Sequence, residues 1–214
     1  MELAEIRREY SLGGLRRADL EANPFAQFKK WFAQAEAALS KNQLDVNAMT
    51  LATADKHGKP SARIVLLKNL DERGFIFFTN YGSRKGRELT ENPNAALTFF
   101  WAELERQVCV AGSVTQLPAA ESEKYFQSRP RNSQIGAWAS SQSAVVPDRA
   151  ALEKPWRELE QKFPSAVPRP PNWGGFILSP ARIEFWQGRP SRLHDRLQYS
   201  RQADGAWKIE RLSP

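Results

Sequence analysis

Between Ala48 and Leu117 five short β-rich runs follow one another with little between them: "AMTLATAD", "PSARIVLLKN", "GFIFFTN", "AALTFFWAE" and "RQVCVAGSVTQL". Turn chemistry such as "DKHGKP" and "LDERG" separates them. A parallel pair of strands needs a crossover of about a dozen residues or more, and most of these connections are shorter. The strands must therefore pair antiparallel, as a meander or a Greek-key barrel. Any helices in the chain have to be fitted around that sheet.

The flanking segments supply them. Asn23-Pro24 resembles a cap followed by proline in the first turn, and Phe25, Phe28, Phe32, Ala35 and Leu39 recur at helical spacing, which predicts an amphipathic helix over 24–40. Residues 118–163 read as helical, broken by "SRPRNSQ" and by the loop around "SAVVPD". The Pro-rich "PSAVPRPPNWGG" reads as a linker or a surface loop. The strands "GFILSP" and "ARIEFWQG" follow, then a hairpin "RLHDRLQYSRQADGAWKIERL" that turns at Ala203-Asp204-Gly205. With no repeat and no boundary in composition, residues 1–214 read as one mainly β domain with peripheral helices and a mobile, charged N-terminal arm over about 1–20.

Charge narrows the function. The chain has 31 basic against 24 acidic side chains, a net +7 that suits nucleic acid, a membrane surface or phosphorylated small molecules. Cys109 is the only cysteine and the two histidines, His57 and His194, lie far apart, so neither a disulfide nor a metal site is expected. Cys109 alternates with Val108 and Val110 as a packing residue, and His57 sits in a turn. No apolar run approaches membrane-spanning length, and "MELAEIRREY" has charges where a signal peptide needs an apolar core. A soluble, reduced, cytoplasmic protein is expected.

Four segments gather cations beside hydroxyl or amide groups. In "FFTNYGSRKGREL", Ser83 is placed to cap a short helix beginning at Arg84, which puts Arg84 and Lys85 at the helix's positive end. Thr79 adds a hydroxyl, and a bound phosphate would turn that unfavourable placement into a favourable one; otherwise the segment is a solvated basic turn. In "RIVLLK", Arg63 and Lys68 flank an apolar strand, and strict alternation sends them to opposite faces unless a bulge or the strand end near Asn69 turns Lys68 around. In "EKYFQSRPRNSQIGAWASSQS", Tyr125 and Arg129 share a helix face, with Ser133, Gln142 and Ser143 as small polar groups nearby. In "SRLHDRLQYS", a strand would point Arg192, His194 and Arg196 the same way, and three such groups repel unless something anionic or electron-rich lies against them. An exposed basic strand is the alternative. No Walker loop or Gly-x-Gly-x-x-Gly fingerprint is present.

Together "RIVLLK", "FFTNYGSRKGREL", "LERQV", "YFQSRPRNSQIGAW", "IEFWQG", "RLHDR" and the ending "WKIERLSP" resemble the pyridoxamine 5′-phosphate oxidase family, in order, from about residue 7 to the C-terminus. The resemblance implies an FMN-binding split β-barrel and a homodimer with the flavin at the subunit interface. The implied reaction is oxidation of a phosphorylated B6 vitamer to pyridoxal 5′-phosphate, with hydride passing from the 4′ carbon to the flavin and dioxygen as final acceptor. Carried over by motif, the flavin site falls on Arg63, Ile64, Val65, Leu66, Leu67, Lys68, Phe78, Thr79, Arg84 and Lys85, and on Gln107, Gln142, Ser143, Trp186 and Arg196. The substrate site falls on Lys68, Tyr125, Arg129, Ser133, Arg192 and His194, the last two at the reacting carbon, with Arg7 and Tyr10 closing over it. Two rivals remain at this point: another split-barrel flavoprotein such as a flavin reductase, and a basic barrel that binds single-stranded nucleic acid along one continuous groove. The short separate cation pairs suit discrete phosphates better than a groove, so neither nucleic acid nor membrane is an expected partner.

Overall fold

A computed structural model of the chain describes residues 1–3, 5, 9–39 and 45–214. Among these, nine strands form one antiparallel sheet. They are β1 (Ala48–Ala54), β2 (Pro60–Leu66), β3 (Asn69–Asp71), β4 (Gly74–Asn80), β5 (Asn94–Trp101), β6 (Arg106–Gln116), β7 (Trp173–Gln187), β8 (Asp195–Arg201) and β9 (Trp207–Leu212). The order across the sheet is β2-β1-β5-β6-β7-β4-β3, with β8 and β9 added beside β7.

The two ends of that order are β2 and β3, yet only Leu67 and Lys68 separate them in the chain. So short a connection reaches about 10 Å, which forces the sheet to curl until its edges meet. The seam is closed by the backbone: Leu67 N–H donates to Asn47 O and Lys68 N–H to Ile76 O, each at 2.8 Å. The run "PSARIVLLKN", expected as one strand, is thus two strands broken at the seam.

The second organising element is β7. Its length pairs with β6, while its other side is shared: Trp173–Leu178 pairs with β4 and Arg182–Gln187 with β8. The barrel wall divides between these halves, around Ser179 and Pro180. There the register with β6 shifts between Ala111 and Gly112, the kind of bulge at which a strand tolerates proline. A Cβ on Gly112 would lie 2.0 Å from the Ser179 carbonyl oxygen, so the bulge requires glycine. "GFILSP" and "ARIEFWQG", expected as two strands, are therefore one continuous strand. It also absorbs Trp173 and Gly174 from the end of the expected linker.

Helix α1 (Pro24–Leu39) closes one side of the barrel. Asn23 Oδ1 accepts the Phe25 amide at 2.8 Å, as the cap-and-proline pattern predicts. Its buried face is Phe25, Phe28, Trp31, Ala35 and Leu39; Trp31 rather than Phe32 takes the third position. The Phe28 ring stands edge-on to Phe75 and Phe99 at 5.0 and 4.9 Å. Residue 40, the expected last residue of the helix, lies outside the described residues. The expected helical region divides into α3 (Ala119–Ser128), α4 (Arg131–Ala139) and α5 (Ala150–Lys162), interrupted at Arg129-Pro130 and over 140–149. A second small core of Phe126, Ile135, Val167 and Trp173 fastens these helices to the start of β7. Helix α2 (Arg84–Glu91) follows β4 and is capped by Ser83, whose hydroxyl accepts the Gly86 amide at 3.3 Å. No described helix is long and apolar enough to cross a membrane.

Candidate functional site

A cavity of about 470 Å³ opens at the seam. Ile64, Val65, Leu66 and Lys68 come from the seam itself, and Phe78, Thr79 and Asn80 from β4. Lys85 enters from α2, Tyr125, Arg129 and Ser133 from the helical region, Gln142 from the loop after α4, and Trp173 from the start of β7. The strand break thus settles the Arg63–Lys68 question. Lys68 turns toward the cavity, whereas Arg63 does not line it.

Lys85 is 9% exposed, and its ammonium donates to Thr79 Oγ1 at 3.3 Å and Gln142 Oε1 at 3.1 Å, both neutral. Burial, then the nearby Arg63 charge, pulls its pKa below the ordinary lysine value. A buried cation held only by neutral oxygens costs free energy that an anion in the cavity would offset.

Arg84, the neighbouring expected ligand, faces the other way: its guanidinium donates to Glu88 Oε1 at 2.8 Å, one turn along α2. Glu88 also holds Arg63 Nη2 at 3.4 Å and accepts from Ser61 Oγ at 2.6 Å and from Thr53 Oγ1. Burial alone would raise its pKa, but the hydrogen bonds from Ser61, Thr53 and Arg84 outweigh it and hold the carboxyl at about 2. Its contribution to stability is therefore complete above its ordinary value of 4.5 and is lost as pH falls through about 2. Replacing Glu88 with Gln should cost about 1–3 kcal/mol at neutral pH, and the variant's urea midpoint should change less than wild type's between about pH 5 and 2. Parallel pH dependence in the two proteins would contradict the Glu88 assignment.

At the other end of the cavity three rings lie nearly parallel: Tyr125 on Phe78 at 3.8 Å, and Phe78 on Trp173 at 5.6 Å. The Arg129 guanidinium covers Trp173 at 4.6 Å, and its Nη1 is buried with no hydrogen-bond partner. Burial lowers the Arg129 pKa and raises that of Tyr125, so the phenol stays protonated. Among the described residues, Lys68, Lys85 and Arg129 form no ion pair, and no carboxylate lines the cavity. An aromatic floor with a buried ammonium and an orphaned guanidinium nitrogen fits flat ligands carrying phosphate, and a flavin mononucleotide among them.

The remaining expected residues gather elsewhere. Gln107, Trp186 and Arg196 are register neighbours across β6, β7 and β8. The His194 ring lies 4.7 Å from Trp186, and Tyr10 stands edge-on to both, at 5.5 Å from Trp186 and 5.6 Å from His194. Here the structure corrects the strand reading. β8 begins only at Asp195, and Ser191 and Arg192 take left-handed φ values of 57° and 61°, so Arg192, His194 and Arg196 do not alternate along one strand. Two such non-glycine residues in succession cost about 1–3 kcal/mol each. Nor does Arg196 lack an anion: its guanidinium grips both Glu184 carboxylate oxygens at 2.9 Å. His194 Nδ1 accepts the Arg189 amide at 3.1 Å, which leaves the ring proton on Nε2. Arg7 lies outside the described residues.

One chain does not bring the two clusters together. Trp173 and Trp186 stand near opposite ends of β7, a contour of about 40 Å at 3.3 Å per residue. Gln107, Trp186, Arg192, His194 and Arg196 do not line the cavity, nor do Leu67, Arg84 and Ser143. Leu67 is buried in the core, and Ser143 Oγ accepts the Arg84 amide at 3.2 Å. Sequence reasoning missed Trp173, hidden at the end of a Pro-rich stretch, and Glu88, whose partners Thr53, Ser61 and Arg63 sit on a distant hairpin. The described residues contain no cluster of potential metal ligands.

Comparison with known proteins agrees with this architecture. Residues 33–163 match the family model described as pyridoxamine 5′-phosphate oxidase, and residues 173–214 match that of the pyridoxine 5′-phosphate oxidase C-terminal dimerisation region. A pyridoxine/pyridoxamine 5′-phosphate oxidase of Ralstonia pickettii is 59% identical over 99% of both chains. The crystal structure of PhzG from Burkholderia lata, in complex with tetrahydrophenazine-1-carboxylic acid, superposes with a TM-score of 0.87 at 35% identity, covering 95% of this chain and all of that one. A pyridoxamine 5′-phosphate oxidase-related, FMN-binding protein of Nostoc punctiforme shares the fold, with a TM-score of 0.71 at 18% identity over 91% of this chain and all of its own. The curled, divided sheet is thus the split β-barrel of these proteins, and the chain belongs to the pyridoxamine 5′-phosphate oxidase family.

Proposed function

We propose that the protein is an FMN-dependent oxidase that converts pyridoxamine 5′-phosphate or pyridoxine 5′-phosphate to pyridoxal 5′-phosphate, using dioxygen and releasing hydrogen peroxide. One observation carries this reading: a single cavity holds a buried ammonium at Lys85 and an orphaned guanidinium nitrogen at Arg129, neither paired with a carboxylate among the described residues. Two unmatched cations suit two phosphate esters, the cofactor's and the substrate's. The names of the curated relatives support the same substrate class.

Lys85, Thr79 and Gln142 would hold FMN, and Tyr125, Arg129 and Ser133 the substrate, with Lys68 between them. The chemistry FMN supplies when bound is two-electron oxidation at the substrate's 4′ carbon, with dioxygen as final acceptor. Arg192 would orient the substrate and offset charge there, and the His194 Nε2–H would donate a hydrogen bond to it. Arg7 and Tyr10 would cover the site. The protein would act as a homodimer, one subunit's cavity being completed by the other's Trp186–His194 cluster. Supporting this are the separation along β7 and the match of residues 173–214 to a dimerisation region. Ile64 and Phe100, 64% and 56% exposed, stand on the same sheet face as Trp186 and suit a covered surface.

The purified protein should carry a yellow flavin spectrum. Anaerobic pyridoxamine 5′-phosphate should bleach it, air should restore it with peroxide, and unphosphorylated pyridoxamine should react poorly. A flavin-loaded protein that neither vitamer phosphate bleaches would sink the reading. Lys85→Ala should weaken FMN binding by roughly tenfold to a hundredfold, the equivalent of about 1.5–3 kcal/mol for a charge-assisted hydrogen bond. Titrating apoprotein with FMN is the measurement, and an unchanged dissociation constant would remove Lys85 from the site.

A further inference from the structure

We propose that Glu105 is a positioning residue: its carboxylate latches the N-terminal arm and so seats Tyr10 against Trp186 and His194. The kinetic side of this proposal rests on the function proposed above; the structural side does not.

Glu105 is 2% exposed and sits in the left-handed region, φ 52° and ψ 41°, between a 3₁₀ turn at Ala102–Leu104 and the start of β6. Its Oε2 accepts two successive amides of the arm, from Ser11 at 2.9 Å and Leu12 at 3.0 Å. A carboxylate that accepts backbone N–H groups forms charge-assisted bonds, roughly twice as strong as neutral ones. The same residue's carbonyl oxygen accepts the Gly188 amide at 2.8 Å and the Gln187 side-chain amide at 3.2 Å. Side chain and backbone of one residue thus fix the arm just after Tyr10 and the backbone just after Trp186.

Tyr10 fills the space between those two fixed points. A Cβ on Gly188 would fall 2.7 Å from Tyr10 Cγ, so the tyrosine lies directly on the Gly188 backbone, next to the rings of Trp186 and His194. Farther along, Asp195 Oδ2 accepts the Leu15 amide at 2.9 Å, a second carboxylate on the same arm. The side chain of Glu105 bonds the arm within two residues of Tyr10, whereas Asp195 bonds it five residues away. Arg189 Nη1 also donates to the Gly13 carbonyl oxygen, at 2.7 Å and three residues from Tyr10, so Glu105 is the nearest to Tyr10 of these three side chains that hold the arm.

Freeing the arm lowers the fraction of molecules with Tyr10 in place, and apparent substrate affinity falls in proportion. A group that touches substrate equally before and during the reaction changes KM and leaves kcat. In the FMN-loaded protein, Glu105→Ala should speed amide exchange at Ser11 and Leu12 at least about tenfold. KM for pyridoxamine 5′-phosphate should rise about tenfold, with kcat and flavin content held. Glu105→Gln, which keeps an acceptor oxygen without the charge, should fall between, and carries the test alone if the alanine variant does not fold. Added to Tyr10→Ala, either change should raise KM no further, because Glu105 acts through Tyr10. Unchanged exchange at Ser11 and Leu12, or KM effects that simply multiply, would overturn the proposal. If the wild-type protein oxidises no B6 vitamer, the proposed function fails, and the exchange measurement still decides the latch.

Discussion

A heterodimer of one Lys85→Ala subunit and one Arg192→Ala subunit should regain about half of wild-type activity at limiting FMN, although each parent homodimer should be nearly inactive. The expectation follows from β7, which carries Trp173 at the cavity and Trp186 at the second cluster, about 40 Å apart along the strand. If each site takes Lys85 from one subunit and Arg192 from the other, the mixed dimer has one site with both lesions and one with neither. If each site lay within a single chain, every site would carry a lesion and nothing would be regained. Isolating the heterodimer with two different affinity tags and assaying peroxide release separates these outcomes. FMN must be held between the wild-type and the Lys85→Ala dissociation constants, so that intact sites fill and the Lys85→Ala parent stays silent, while the Arg192→Ala parent is silenced by its loss of turnover.

Arg192→Ala and His194→Ala should each lower kcat/KM by at least about tenfold, some 1.4 kcal/mol of transition-state stabilisation, with bound FMN largely in place. Arg192 is exposed and lies in the left-handed turn at Ser191-Arg192, so its replacement removes no buried packing contact. His194 is set by the Arg189 amide at Nδ1 and by the Trp186 ring, which fits it to bind and orient rather than to exchange protons through both nitrogens. Arg196→Ala should behave differently. It strands the Glu184 carboxylate beside Trp186, and should loosen the flavin as well as lower turnover. Steady-state kinetics beside flavin occupancy for the three variants is the check. Wild-type kcat/KM in both Arg192→Ala and His194→Ala would return the segment to an exposed basic surface.

The sheet was legible because short connections leave antiparallel strands no alternative, and the capping signals at Asn23 and Ser83 were legible because they act within four residues. What failed is what distant partners decide. Periodicity gave Phe32 the third core position of α1, but Trp31 takes it and lies under the Arg106 guanidinium at 4.4 Å. Alternation ran β8 back to Arg192, but the left-handed turn stops it at Asp195. Arg63 and Arg84, expected at the flavin site from their place in the motifs and from the resemblance, both pair with Glu88. Their partner Glu88 is invisible in a local reading, because only the folded hairpin brings Thr53 and Ser61 to it. Lys68 is the opposite case: the strand end near Asn69 was visible in the sequence, and the break there leaves Lys68 on the cavity wall while Arg63 stays off it.

The same seam sets an order of events during synthesis and folding. β1 and β2 form a local hairpin, as do β5 and β6, and these can pair early. β4 can pair early only with the three-residue β3, because its other partner, met across Phe75 and Leu178, lies about a hundred residues downstream, and closing so long a loop is slow. Until β7 leaves the ribosome, the edge of β4 stays open and Trp173 is missing from the cavity wall. The β7-facing edge of the apolar run Phe75–Phe78 therefore waits unpaired while about a hundred further residues are made, and the cavity comes into being among the last parts of the molecule.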